Sequence, residues 1–428
     1  RWLVGKLRPE MIPPGIVLNE DHRYWLVEMS ESDADAAKSA GFQLKPVFQT
    51  RSEPRASVWN ASWRPDSNVA RLVAQVSLDS LARDIRRLQN FRTRHTLRDS
   101  CDSCAFWLYR RFAGYGCSTE FDRYRYQNNL CFNVIATIPG EVRPESIVVM
   151  CGHFDSYSPT PDNAPGADDN ATGTAILLEA TRLFQNARFR WSVKLVGFSG
   201  EEQWMKGSYH WVDSVVVPQQ LKIDGVYNVD MIGYTSADST YHVVNYNSPS
   251  IALAGLCDSV NRWYSIGLDQ LLLYYDPDCA GDNTPFWERG FRAVFALEDS
   301  EWGIWNGSNP HYHTTHDTFG TLRLGQVRRV AQMCIAALAT HAGLIDYVGA
   351  DESRPETALQ PWRIRPNPFV NQTRIWGRED DLWEVLDISG RPVSRERGRT
   401  IGSRLLPGVY FLKALDTPFS VARIVKLR

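Results

Sequence analysis

The chain has 428 residues, with 47 Lys and Arg against 49 Asp and Glu, for a formal net charge of −2. At about 150 residues per folding unit this length allows roughly three units, and a content of 43% hydrophobic and 22% charged residues excludes a disordered or fibrous chain. The near-neutral balance gives no footprint for a nucleic-acid partner, and no run of 18 apolar residues is present to make a transmembrane helix.

Residues 1–57 form an N-terminal extension. It holds a strand-like run (Tyr24 to Val27), a helix-like run (Glu31 to Ser39) and a second apolar run (Phe42 to Phe48). This is either a propeptide-like β-α-β unit or an ordinary extension packed on the core. The polar stretch Ser52 to Arg55, with Pro54, marks a boundary. From Ser77 the spacing turns helical: Leu78, Leu81, Ile85 and Leu88 recur at three- and four-residue intervals.

Strands and helices then alternate. Strands are expected at Ser146 to Met150, Trp191 to Phe198, Gly225 to Ile232, Tyr241 to Tyr246 and Ala293 to Leu297. Helices are expected at Asn170 to Phe184, Gly207 to Val215, Ser250 to Tyr264 and Leu324 to Leu344. That order predicts an α/β unit over 58–350, with a mostly parallel central sheet covered by helices on both faces. After the polar linker Ala350 to Pro355, short β-type runs separated by turn signals predict a small all-β sandwich over 355–428.

The eight cysteines are Cys101, Cys104, Cys117, Cys131, Cys151, Cys257, Cys279 and Cys334. Eight in so long a chain is no disulfide scaffold, but Cys101, Cys104, Cys117 and Cys131 share one region, and one or two disulfides there are expected of an exported protein. Cys151 and Cys334 sit in apolar runs and read as buried thiols. The chain begins at Arg1 without a signal peptide, which reads as a processed form.

Polar motifs fall where the expected strands end. They are Gly152-His153-Phe154-Asp155-Ser156, Pro165-Gly166-Ala167-Asp168-Asp169-Asn170, Ser199-Gly200-Glu201-Glu202-Gln203, Asn228-Val229-Asp230-Met231 and Tyr312-His313-Thr314-Thr315-His316-Asp317-Thr318. In open α/β sheets the carboxyl ends of the strands converge on one ligand-binding edge. Carboxylates gathered there repel one another unless a divalent cation neutralises them; imidazole with carboxylate suits zinc. Two ions about 3.5–4 Å apart activate a shared water, and a neighbouring carboxylate shuttles its proton. Taken singly each motif has a plain alternative: a structural histidine, a helix cap at Asp168-Asp169-Asn170, a surface Glu201-Glu202 pair. Asp230 in an apolar strand needs a partner in any reading.

Together these strings resemble the co-catalytic zinc exopeptidases, the group that includes bacterial leucyl-type aminopeptidases, with glutamate carboxypeptidase and glutaminyl cyclase as relatives. The resemblance spans about residues 77 to 345. It implies two zinc ions, with His153 and Asp230 on the first, Glu202 and His313 on the second, and Asp168 bridging both. It further implies Glu201 as general base, Asp155 orienting His153, and Asp169 at a position where a cis peptide is common. Tyr312 is implied as the oxyanion donor, and His316 as structural or rim. Two departures stand out. Trp204 occupies a slot that is usually Gly, and Gly281 and Asn283 flank Asp282 in a segment that usually reads Ser-Asp-His, with Asp278 where some relatives carry a tyrosine.

The implied activity is a secreted dinuclear zinc aminopeptidase acting on peptide substrates. Alternatives are a glutaminyl cyclase or carboxypeptidase of the same family, or a non-catalytic surface binding protein. Pro366-Asn367-Pro368-Phe369, Asp387-Ile388-Ser389-Gly390-Arg391 and Pro407-Gly408-Val409-Tyr410-Phe411 resemble the sorting domain of type IX secretion substrates. That implies secretion machinery as a partner and a secreted or cell-surface location.

Overall fold

Residues of the strand Arg143–His153 alternate between two apolar clusters: Val148 and Met150 enter one, while Ile147, Val149 and Cys151 enter the other. A strand buried on both sides needs a sheet covered on both faces, and the computed structural model of the chain has one. The structure describes residues 63–349 apart from 236–239, 275–280 and 299–308. It also describes 2–5, 16–20, 24–28, Ser30, Asp33 and 44–46 near the N-terminus, and 363–365, 368–376, 382–387, 391–397, 400–414 and 421–427 near the C-terminus.

The central sheet has eight strands, in the order Asp269–Tyr274, Tyr241–Tyr246, Ala293–Leu297, Lys222–Val229, Arg143–His153, Trp191–Phe198, Asn129–Ile138 and Ser118–Tyr126. From Ala293–Leu297 through Trp191–Phe198 every neighbouring pair is parallel. Tyr241–Tyr246 joins this block antiparallel and pairs parallel with Asp269–Tyr274, and the hairpin Ser118–Tyr126/Asn129–Ile138 adds an antiparallel edge. The expected parallel sheet is therefore its centre, while one edge is a hairpin whose turn residues, Gln127 and Asn128, both have positive φ.

The helices Leu78–Gln89, Ala171–Phe184 and Leu324–Ala342 fill the first apolar cluster, and Trp211, Val212 and Val216, from a short helix and its π-helical extension, fill the second. Asn170 is the N-cap of Ala171–Phe184, accepting from Gly173 N at 2.8 Å.

At the N-terminus, strands Trp2–Gly5, Ile16–Glu20, Tyr24–Glu28 and Leu44–Pro46 make an antiparallel sheet. At the C-terminus a three-stranded and a four-stranded antiparallel sheet are present. Phe369, Trp383, Val385, Ile401, Leu405, Leu412 and Ile424 form their common core. Phe411 leaves that core to lie against Phe106 and Phe132 of the α/β unit, with centroids 5.8 and 6.2 Å apart. Most of the helix expected at Glu31 to Ser39, the linker Ala350 to Pro355, Asp278 and Cys279 lie outside the described residues.

One expectation is corrected. The seven described cysteines, among them Cys101, Cys104, Cys117 and Cys131, are free thiols, and all are buried. Cys101 and Cys104 sit three residues apart on the buried face of the helix Asp99–Gly114, where they pack as small apolar side chains. Burial pushes the thiols of Cys104 and Cys117 up to about 12.

Candidate active site

His153 ends its strand at the carboxyl edge of the sheet, where Thr174 Oγ donates to its carbonyl at 2.7 Å. Asp230 follows the last residue of Lys222–Val229, and its amide donates to Ala296 O at 3.1 Å. Asn170 ties these pieces together: besides capping its helix, its Nδ2 donates to Val229 O at 2.9 Å. Glu201 and Glu202 lie in the turn after Trp191–Phe198, and both of their amides donate to the Asp155 carboxylate, at 3.2 and 3.3 Å.

These elements bring two histidines and three carboxylates together. His153 Nε2 lies 3.2 Å from Asp230 Oδ1 and 3.2 Å from Asp169 Oδ1. His313 Nε2 lies 2.8 Å from Glu202 Oε2 and 3.3 Å from Asp169 Oδ2. The result is two three-residue groups, His153/Asp169/Asp230 and Asp169/Glu202/His313, sharing one carboxylate with an oxygen for each. Glu201 Oε2 stands 4.0 Å from His153 Nε2. On the far side of the ring, Asp155 Oδ1 lies 3.4 Å from His153 Nδ1, the position from which a carboxylate fixes tautomer and orientation. Tyr312 stacks on His313 with centroids 3.8 Å apart, and Tyr157 meets the same ring edge-on at 4.9 Å.

The residue between the histidines is Asp169, not Asp168. The Asp169–Asn170 peptide bond is cis. Asp168 faces away from the histidines: its Oδ1 accepts from Gly233 N at 2.9 Å, its Oδ2 from Asn309 Nδ2 at 3.0 Å, and it shares a hydrogen bond with Glu298. Asp317 holds the pair in place, its two oxygens taking the amides of Asp168 and Asp169 at 2.8 and 3.0 Å. Glu298, Asn309 and Asp317 had no assigned role in the sequence. Asp317 stands inside the motif that supplies His313, and that nearness was the available signal. Arg94 also went unnoticed. It is wholly buried and donates to the carbonyls of Phe154, Leu88, Pro165 and Gly166 at 2.7, 3.2, 2.6 and 2.7 Å, joining two site loops. His316 is exposed, as expected of a rim residue.

The electrostatics show how poorly this cluster tolerates its own charge. Burial, with the nearby Asp169 charge, pushes Glu202 up to about 7. Burial raises Asp230, and burial with repulsion from Asp230, Asp282 and Glu202 raises Glu201 well above the usual carboxylate range. Asp169 feels the same burial, yet hydrogen bonds and charge from His153 and His313 hold it below the ordinary value. Burial opposes charge on His313, but its bonds to Asp169 and Glu202 raise it to about 11. Such a cluster calls for positive charge between its members. Glu202 Oε1 is buried without a hydrogen-bond partner, as an unfilled ligand atom would be. Two imidazoles with three carboxylates, one of them shared, fit a pair of zinc ions. Asp282 is fully buried nearby, with Oδ1 accepting from Ser208 Oγ at 2.5 Å and Oδ2 unpaired, and burial pushes it up to about 7.

Residues 133–338 match the model of Peptidase family M28. That match agrees with the resemblance of the motifs to the zinc exopeptidases. A probable leucine aminopeptidase of Arthroderma otae is 25% identical over 370 residues, covering 78% of this chain and 92% of that protein. A probable zinc metalloprotease of Pyrenophora teres f. teres is 28% identical over 199 residues, covering 41% of this chain; the match spans only 43% of that relative's length. Among solved structures, the LapA aminopeptidase of Legionella pneumophila shares the fold with a TM-score of 0.57 at 18% identity, covering 81% of this chain and 98% of that one.

Proposed function

We propose that the protein is a dinuclear zinc aminopeptidase that removes N-terminal residues from peptides. The observation that carries this reading is the pair of His/carboxylate groups sharing Asp169. His153, Asp230 and Asp169 would hold one ion; Glu202, His313 and Asp169 the other. Zinc in such sites acidifies a water and polarises the scissile carbonyl. Glu201 is left free of that work and stands beside it, placed to take the proton of the attacking water and return it to the leaving amine. Burial and the neighbouring carboxylates raise its affinity for a proton, the direction that favours accepting one from water. Tyr312, whose hydroxyl is kept protonated by burial and neighbouring carboxylates, is the candidate donor to the developing oxyanion. Asp155 fixes His153 and the backbone of both glutamates.

Glu201→Gln tests the assignment. The variant should keep close to two zinc ions per chain and lose at least about 1,000-fold in kcat on a leucine anilide. Full turnover in that variant refutes the mechanism, and cyclisation of a Gln-initiated peptide without release of an amino acid would decide for a cyclase.

Export to the cell surface or medium is proposed as well, with residues 355–428 addressed by the secretion machinery. It rests on the C-terminal resemblance. Deleting 355–428 should leave the protein inside the producing cell; unchanged export refutes the role.

A further inference from the structure

Trp204 is the most exposed aromatic of the α/β unit among the described residues, at 70%, and its backbone is left-handed, with φ +66°. Both features work against the fold. An exposed indole adds little apolar burial, and a left-handed conformation disfavours any residue with a Cβ, above all a bulky one. The turn has no need of an indole to close: Met205 N donates to Glu201 O and Lys206 N to Gly200 O, both at 2.8 Å, through main-chain atoms alone. Glycine would satisfy the same backbone at lower cost. Strain of this kind, retained without a structural return, points to function.

The location supplies the function. Trp204 lies two residues beyond Glu202, in the same closed turn as Glu201. Glu202 faces His313, whose ring is already flanked by Tyr312 and Tyr157. Glu201 is the group that returns a proton to the leaving amine. The turn that carries it therefore borders the part of the substrate beyond the scissile bond. We propose that Trp204 is a specificity-determining residue for the second residue of the peptide, covering an aromatic or large apolar side chain there with its indole face. The proposal rests on the aminopeptidase reading and narrows its substrate class to peptides with such a residue after the bond that is cut.

The test uses the full zinc-loaded chain with three dipeptides of common first residue, Leu-Gly, Leu-Phe and Leu-Lys. Wild type should favour Leu-Phe over Leu-Gly by about tenfold in kcat/KM, mainly through KM, the scale of one aromatic contact plus its burial. Trp204→Gly should reduce that ratio to under about twofold while Leu-Gly itself falls at most about threefold, and Trp204→Phe should keep most of the ratio. Because glycine relaxes the left-handed backbone, the melting midpoint of Trp204→Gly should hold or rise, by about 2 °C. A ratio unaffected by Trp204→Gly, an equal loss on both peptides, a fallen midpoint, or a wild-type preference for Leu-Lys overturns the assignment. If wild type cleaves none of the three peptides, the aminopeptidase reading fails, and this inference with it; cleavage without preference overturns the inference alone.

Discussion

Asp155 is fully buried, and its two oxygens have different duties. Oδ1 faces His153 Nδ1 at 3.4 Å and accepts from Glu201 N at 3.2 Å. Oδ2 accepts from Thr96 Oγ at 2.8 Å and Glu202 N at 3.3 Å. In Asp155→Asn one oxygen becomes an NH2. Placed at Oδ1, it would confront two N–H donors that cannot turn round. Placed at Oδ2, it meets a hydroxyl that can rotate to accept, leaving only the Glu202 amide stranded. The second arrangement therefore prevails. Its cost is one buried N–H without a partner, about 1–3 kcal/mol, together with the lost negative charge behind His153. Supports of this kind are worth about 10–100-fold in metal affinity or activity. The expected result is a fall of that size in kcat/KM on a leucine anilide, with weaker zinc retention against a competing chelator. Asp155→Ala should be worse, because all four contacts go. A loss below about threefold in both measurements for Asp155→Asn would refute the claim that this carboxylate organises the site.

Other perturbations separate the remaining roles. Asp169→Asn should strip zinc from both positions and cut turnover about 1,000-fold or more, whereas Asp168→Asn, which keeps one oxygen to accept from Gly233 N and loses only the acceptor for Asn309 Nδ2, should cost far less; metal analysis and kinetics of the pair check this, and the reverse order refutes the placement of the shared carboxylate. Arg94→Met should leave the carbonyls of Phe154 and Pro165 unpaired, those of Leu88 and Gly166 keeping the amides of Phe91 and Ala171, and lower stability by about 2–3 kcal/mol, read as a shifted denaturation midpoint. At the opposite end of the sheet, Asp224 accepts from His341 Nε2 at 2.7 Å, and that bond, opposed by burial and aided by Arg292, holds its pKa below 3.8. A depressed carboxyl pKa stabilises the fold above the unfolded value, and the benefit disappears as pH falls through the folded one. Asp224→Asn should therefore melt earlier than wild type at pH 7, with the gap closing as pH is taken below 3.8.

Much of the fold and site could be read from local pattern. Trp191–Phe198, Tyr241–Tyr246 and Ala293–Leu297 have the boundaries their apolar runs suggest, since a fully buried strand announces itself by composition. Ser118–Tyr126 escaped notice because it is an edge strand, largely exposed and rich in charge. The helix Asp99–Gly114 was hidden by its polar first turn and by cysteines that invited a covalent reading. The disulfide expectation came from compartment and spacing, and spacing along a helix does not bring two Cβ atoms into bonding geometry.

The choice between Asp168 and Asp169 lies beyond any reading of types and order, because both are aspartates and adjacent. What separates them is direction. Outside a helix, consecutive side chains diverge, so only one of two neighbours can stand between His153 and His313. Asp317, far along the chain, fixes which one by holding both amides. The other is turned toward Gly233, Asn309 and Glu298, which form a polar niche of their own behind the site. The sequence therefore suggests the chemistry through residue types that converge on one sheet edge, while which aspartate lies between the histidines depends on hydrogen bonds spanning nearly 150 positions. A motif match ends where that long-range bonding begins, and this is why Asp317, Glu298 and Asn309, none of which stands between the histidines, decide which carboxylate does.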